Sequence, residues 1–334
     1  MDEKRRVPPT VESSGRSQWR RFALRRSEAR QPAVSDPPPS PFVVGVARSG
    51  TTLLRLMLDA HPDLAVPPET NLIPRLIKIC RRPDATPKGA VDFLSSHRKW
   101  NDFGIESEDV LERMSAAPEF TPTAAVRAFY GAYAARFGKP RWGDKTCDHA
   151  RRMPLIGTTL PEARFVHLIR DGRDATLSWR RFRTLRGVDP LTIEHRAWAW
   201  SSKIIETRVK ARRVAHYMEV RYEGLVSDPE ATLREICEFV ELPYDERMLA
   251  YHRSSPERLA ELAGGLPPSK RRGRRLTAED RLGPHRLTSE PPRADRAGAW
   301  HEQMTEAEVN EFEVIAGELL VDLGYGTTRR PGAF

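Results

Sequence analysis

The sequence predicts an α/β fold, a central parallel sheet flanked by helices, with one domain over residues 41–334. Three observations carry this. From Phe42 onward, short runs rich in β-branched residues alternate with long helical stretches, the order that builds a parallel sheet from strand–helix–strand units. A turn bounded by Gly45 and Gly50 joins the first such run to helical sequence. No compositional break divides the 334 residues, a length sufficient to bury a useful core.

The elements follow in order. Residues 1–40 are rich in Arg, Ser and Pro and end in SDPPPSP; they hold too few apolar groups to offset ordering entropy and read as a disordered basic tail. Within it, WRRFALRR could instead form a short basic amphipathic helix giving weak peripheral contact with acidic lipid. Three strands stand out: FVVGV (42–46), RFVHLIR (164–170) and HYMEVRY (216–222). Helices are expected at 51–60, 69–82, 121–137, 171–184, 191–213, 228–240 and 305–322. Asp228-Pro229 and the Thr305/Glu308 capping box mark the starts of the last two. The Pro/Gly/Arg-rich segment 264–298 reads as a long loop that serves function or moves.

Lys+Arg number 55 against 46 Asp+Glu, a formal net charge of +9, a balance that suits an anionic ligand as well as a solvated basic surface. Cys80, Cys147 and Cys237 show no metal-ligand spacing and are too few for a secreted disulfide framework, so a reducing cytoplasm is expected. No run approaches 18 apolar residues, and the first thirty positions lack the apolar centre of a secretory signal.

The stretch GVARSGTT keeps the cradle of a phosphate-binding loop: a strand, a Gly-bounded turn and a helix start converge backbone N–H groups and the helix dipole on one point. Thr51 stands where a Walker loop needs lysine, the group that serves the β/γ-phosphates of a nucleoside triphosphate. Here Arg48 supplies the cation and Thr51 and Thr52 supply hydroxyls. RFVHLIRDGRDATLSWRR delivers Arg170 at a strand's carboxyl end, where ligands of open parallel sheets sit, and Ser178 on the second turn of the next helix. Arg173 and Asp174 are read as holding the local turn.

The order R-S-G-T-T after one strand, then Arg170 and Ser178 after another, resembles the two signatures of the sulfotransferases that use 3′-phosphoadenosine 5′-phosphosulfate (PAPS). The resemblance spans roughly 41–325, thins between 83 and 138, and in ARSGTTLLRLMLDAHPDLAVPPET is most similar to the protein-tyrosine branch. It implies a P-loop-like sulfotransferase fold and PAPS as co-substrate, with its desulfonated form PAP as product. Arg48, Ser49, Gly50, Thr51 and Thr52 would then hold the 5′-phosphosulfate, and Arg170 and Ser178 the 3′-phosphate. VRYEGLVSDP resembles the element in which a tyrosine, here Tyr222, borders the adenine. RADRAGAW resembles the C-terminal Gly-x-Trp element, so Arg296 and Gly298 would meet the 3′-phosphate and Trp300 pack the loop down.

Sulfuryl transfer asks for an in-line nucleophile, stabilisation of the leaving oxygen and a base. The group carries less charge than a γ-phosphoryl, so no metal is required. Arg48 and Lys145, in RWGDKT, are the candidate electrophilic residues; a surface salt bridge between Lys145 and Asp144 is the alternative for the latter. Glu69, in VPPETNLIPRL, is the candidate base, its pKa raised if the site excludes water; a helix-start glutamate stabilising the dipole is the competing account. His61, His149 and His167 lie in or near the motif regions; His61, as a helix-end cap, and His167, as a buried strand residue, rank below Glu69. Ala47 and Cys147 depart from the family, standing where proline is common.

The expected partner is a hydroxylated small-molecule acceptor, with no nucleic acid and no membrane span. Two other classes remain open. An ATP-dependent small-molecule kinase fits the cradle, although the missing Walker lysine argues against it. A nucleic-acid-binding protein fits the charge and KRRGRR at 270–275, although no recognition-fold signature accompanies that run.

Overall fold

A computed structural model describes residues 37–266 and 276–328. The basic tail through residue 36, including WRRFALRR, and the run KRRGRR lie outside the described residues. Strands β1 (Ser40–Gly45), β2 (Leu64–Ala65), β3 (Arg141–Trp142), β4 (Asp144–Lys145), β5 (Ala163–Ile169) and β6 (Tyr217–Arg221) form two sheets. The main one is four-stranded in the order β4-β1-β5-β6, parallel throughout; β2 and β3 form a small parallel pair. Helices are α1 (Thr51–Asp59), α2 (Ile73–Cys80), α3 (Pro87–Ser95), α4 (Ser107–Ser115), α5 (Pro122–Ala135), α6 (Met153–Thr159), α7 (Gly172–Thr184) and α8 (Ile193–Ala211). They continue as α9 (Tyr222–Ser227), α10 (Pro229–Phe239), α11 (Ser255–Ala260), α12 (Ala278–Leu282), α13 (Trp300–Gln303) and α14 (Glu306–Asp322).

Strand alternation sets the layers. Phe42, Val44 and Phe165 pack toward α2–α6, while Val43, Val166, Leu168 and Val220 pack with α1, α9 and α10. A third core lies beyond the strand ends, where Ile169 meets Trp200 of α8 and Phe312 of α14. With both faces of β1 and β5 covered, these strands read as near-continuous apolar runs, as parallel sheets require.

The three predicted strands form within a residue or two of their expected bounds. A fourth, β4, is new: what reads as a polar island at 141–146 pairs along β1, with Val43 opposite Lys145 and the Thr146 amide donating to the Val43 carbonyl. Two residues are too short for a period-2 signal, so only pairing reveals it. The helix expected from 69 starts at Ile73, because Pro67 and Pro68 hold the preceding chain extended and Pro74 fixes the first turn. The thin region contributes α3 and α4. The described part of the 264–298 loop is not structureless; it contains α12 and two short 3-10 turns, Gly283–Ser289 and Ala294–Arg296.

Candidate active site at the strand tips

Parallel pairing of β1 with β5 lays Gly45 beside Leu168, so the turn after β1 and the residue after β5 emerge side by side although about 120 positions separate them. Pairing of β4 and β6 on either side completes the row. The carboxyl ends deliver Lys145, the Val46–Gly50 turn, Arg170 and Tyr222 in spatial order, the edge at which open α/β sheets bind ligands.

The turn itself is shaped by two left-handed residues. Arg48 has φ 76° and Gly50 φ 91°; a side chain at Gly50 would also run into Tyr222, whose ring carbons lie 2.4 and 2.6 Å from the ideal Cβ position. Gly50 is the N-cap of α1 without a side-chain cap, so the first amides of that helix face the cleft unpaired by any cap.

Arg48 connects the two motifs. Its Nε donates to Ser178 Oγ at 3.3 Å, and its guanidinium lies 5.2 Å from the Phe182 ring centre. Arg170 donates to the carbonyls of Arg48 (3.4 Å) and Arg296 (2.7 Å), and stands 4.4 Å over the Tyr222 ring. Burial first, then the neighbouring Arg170 and Arg186, lower the Arg48 pKa to about 10. Cations gathered in this way repel one another until an anion joins them.

These residues line a cleft of about 420 Å³. Of the expected ligand-binding set, Arg48, Gly50, Thr51, Thr52, Arg170, Ser178, Tyr222 and Arg296 border it. Ser49 does not; its hydroxyl is buried below the turn. Thr51 faces partly elsewhere, its hydroxyl 3.4 Å from Cys147 Sγ. Gly298 borders a different hollow, and its amide donates to Asp174 Oδ2 at 2.7 Å. Asp174 also accepts from the Trp300 amide at 2.9 Å. This residue therefore fastens the C-terminal Gly-x-Trp element to α7 rather than holding its own turn. Arg173 does close the local turn, pairing with the α7 cap Asp171, and reaches further to Glu313 of α14.

Lys145 and Glu69 stand behind Thr52. Lys145 Nζ is 3.5 Å from Thr52 Oγ1 and donates to Glu69 Oε1 at 3.1 Å. The alternative partner of Lys145, Asp144, points to the other face of β4 and is wholly buried. Glu69 sits in the irregular stretch before α2, so it caps no helix. The expectation of a raised pKa is overturned: burial alone would raise it, but Lys145 and Lys99 outweigh burial and hold the carboxyl at about 2.

Sequence reasoning missed two residues here. Lys99 donates to the Glu69 carbonyl (3.4 Å) and to Asn71 Oδ1 (2.7 Å), yet lies in the region of thinnest resemblance. His285 lines the cleft from the 283–289 turn; burial, then Lys145 and Arg48, lower its pKa to about 3, leaving a neutral imidazole. Neither belongs to a spaced motif, so only the packing of distant segments could show them. Among the remaining histidines, His61 ends the turn after α1, accepting from the Asp63 amide, and His167 is buried mid-strand against Tyr217.

The geometry suits a ligand with two anionic ends. Two buried polar atoms at the cleft, the Nε atoms of Arg170 and Arg296, have no hydrogen-bond partner among the described residues. Buried polar groups are ordinarily paired, so donors remain for phosphate-like oxygens.

An α/β protein with arginines and hydroxyls gathered at adjacent strand tips around one cleft is the class this fold and site define. The chain belongs to the sulfotransferase family, whose model matches residues 39–246. It is 28% identical to protein-tyrosine sulfotransferase A of Caenorhabditis elegans over 218 residues, 64% of this chain and 52% of that protein. To protein-tyrosine sulfotransferase 1 of Danio rerio it is 28% identical over 235 residues, 69% and 59% of the two chains. The chain thus spans about half the length of these curated relatives. Among solved structures, the sulfotransferase domain from the curacin biosynthetic pathway superposes with a TM-score of 0.53 at 19% identity, over 88% of this chain and 100% of that one. The sulfotransferase domain of the Synechococcus PCC 7002 olefin synthase gives 0.51 at 22%, over 87% and 98%. These two likenesses establish the fold.

Proposed function

We propose that the protein transfers the sulfuryl group of PAPS to an acceptor hydroxyl. One observation carries the reading: Arg48 and Arg170, from motifs far apart in sequence, border one cleft and are joined through the Arg48 carbonyl. In this reading the first amides of α1 and Arg48 hold the 5′ end, while Arg170, Ser178 and Arg296 hold the 3′-phosphate. Tyr222, already stacked under Arg170, borders the base. Bound PAPS would supply the sulfuryl group and its phosphate leaving group.

The protein's own contribution is charge and orientation. Arg48 and Lys145 stabilise negative charge that develops at the bridge oxygen. Glu69 takes the acceptor proton; at neutral pH it is ionised, the form a base must have. Any anion that competes for Lys145 loosens its grip on Glu69 and makes the carboxylate more basic.

The acceptor we propose is a small hydroxylated molecule, bound where the 283–296 segment closes one side of the cleft. A tyrosine hydroxyl is the second reading, favoured by the names of the curated relatives. Turnover of labelled PAPS with a panel of phenols and alcohols against a tyrosine peptide separates them. A cytoplasmic setting is proposed from the three cysteines, all free thiols, and is checked by cell fractionation.

The central test is thermal. PAP should raise the melting temperature in the presence of a chelator, and AMP or ATP much less, by mass-action stabilisation of the folded state. Arg170→Ala should erase that preference. Equal shifts with PAP and AMP in the unmutated protein would refute the second anion site.

A further inference from the structure

We propose that Asp144 is the positioning residue that sets the spacing of Lys145 and Glu69. This rests on the reading of those two as the catalytic pair, and it comes from a cluster that the anion sites do not use. Asp144 Oδ1 accepts from His149 Nδ1 at 2.9 Å. Its Oδ2 accepts from Tyr130 OH at 2.9 Å, from Thr146 Oγ1 at 3.3 Å and from Thr70 Oγ1 in a short bond. The cluster packs against apolar rings: Phe42 meets Tyr130 edge-on, and Tyr130 stacks on Trp142 at 4.5 Å.

Placement gives the cluster its consequence. Thr70 follows Glu69, and Asp144 and Thr146 flank Lys145. The Thr70 amide donates to Thr146 Oγ1 at 2.9 Å, so the irregular stretch before α2 is tied to the sheet edge directly and through one carboxylate. Because strand side chains alternate, Asp144 points into the core and Lys145 to the cleft side, where it meets Glu69. Glu69 is not in a helix and Lys145 is on a two-residue edge strand. Neither has regular structure enough to fix it, and the buried bridge does so instead. An ionised carboxylate is costly to bury; here four donors offset the cost, and burial is outweighed by His149 and the hydroxyls so that Asp144 titrates below its ordinary range.

The test reads Glu69 itself. Its carboxyl carbon is followed by NMR against pH in 13C-labelled full-length protein, with Glu69→Gln assigning the signal. The groups facing Glu69 are Lys145, Lys99, Cys147 and His285; those facing Asp144 are His149 and Tyr130. Asp144→Leu removes the bridge, and Thr146→Val cuts it more gently should the first variant fail to fold. In either, Lys145 drifts from Glu69 and the Glu69 midpoint climbs by about one pH unit or more toward the ordinary carboxylate value. Asp144→Asn, whose carbonyl oxygen can still accept from two of the three hydroxyls, keeps most of the low midpoint. PAP binding, measured by calorimetry, persists, since Arg48, Arg170 and Arg296 touch none of the substituted residues. An unchanged Glu69 midpoint in folded Asp144→Leu or Thr146→Val overturns the proposal. Failure of the unmutated protein to bind PAP would instead sink the functional reading, while the titration would still report on the bridge.

Discussion

Replacing Gly50 with alanine tests the shape of the anion turn most directly. The residue has φ 91°, and its added Cβ would lie 2.4 Å from Tyr222 Cδ2 and 2.6 Å from Cε2. Carbon atoms settle near ~3.5 Å, so the ring must retreat by about 1 Å, and Arg170 rests on that ring. The left-handed backbone costs a side chain about 1 kcal/mol, and the forced displacement in a packed site adds roughly 1–3 kcal/mol. Tyr222→Ala removes the obstacle but not the backbone strain. Urea unfolding of both single variants and the double variant should therefore show coupling: Gly50→Ala costs about 2–4 kcal/mol with tyrosine present and about 1 kcal/mol without it. Calorimetry with PAP should follow the same pattern, with Gly50→Ala weakening binding about tenfold or more. Costs that add to within about 0.5 kcal/mol would refute the close approach of Tyr222 to the turn.

Three more expectations follow from individual contacts. Glu69→Ala should abolish turnover while leaving the PAP melting shift intact; full turnover would mean another group takes the proton. Asp174→Ala strands the Gly298 and Trp300 amides, so unfolding free energy should fall by about 2 kcal/mol or more and limited proteolysis should open the chain near 296–304. His167, with no exposed surface, has its pKa lowered by burial to about 4. The unfolded chain then takes the proton first as pH falls. Stability is complete above about pH 6.5 and declines toward pH 4, by up to about 3 kcal/mol from this residue. Urea midpoints at pH 7.5 and 4.5 should show a smaller loss for His167→Asn than for the unmutated protein; equal losses would remove His167 as a cause.

Much of this arrangement is written locally. The β-branched runs at 42–46, 164–170 and 216–222 become β1, β5 and β6 because strand pattern and burial are properties of a few neighbouring residues. Thr305 and Glu308 form the capping box that their spacing announces. The turn around Gly50 is equally legible, since the Gly-bounded spacing after β1 and the φ of 91° it serves are local, whereas the tyrosine beside it comes from a distant strand tip. What the chain could not announce locally is which tips become neighbours. Pairing of β1 with β5 brings Arg48 to Arg170, and pairing of β4 with β1 turns a polar hexapeptide into the strand that presents Lys145. The charge state of Glu69 is likewise a tertiary property. Its own segment suggests a carboxyl raised by burial, whereas Lys145 and Lys99, arriving from two other segments, reverse the sign. Local sequence determines backbone preference, which depends on adjacent atoms; electrostatics at a site depends on distance through space, and only the folded chain sets that distance.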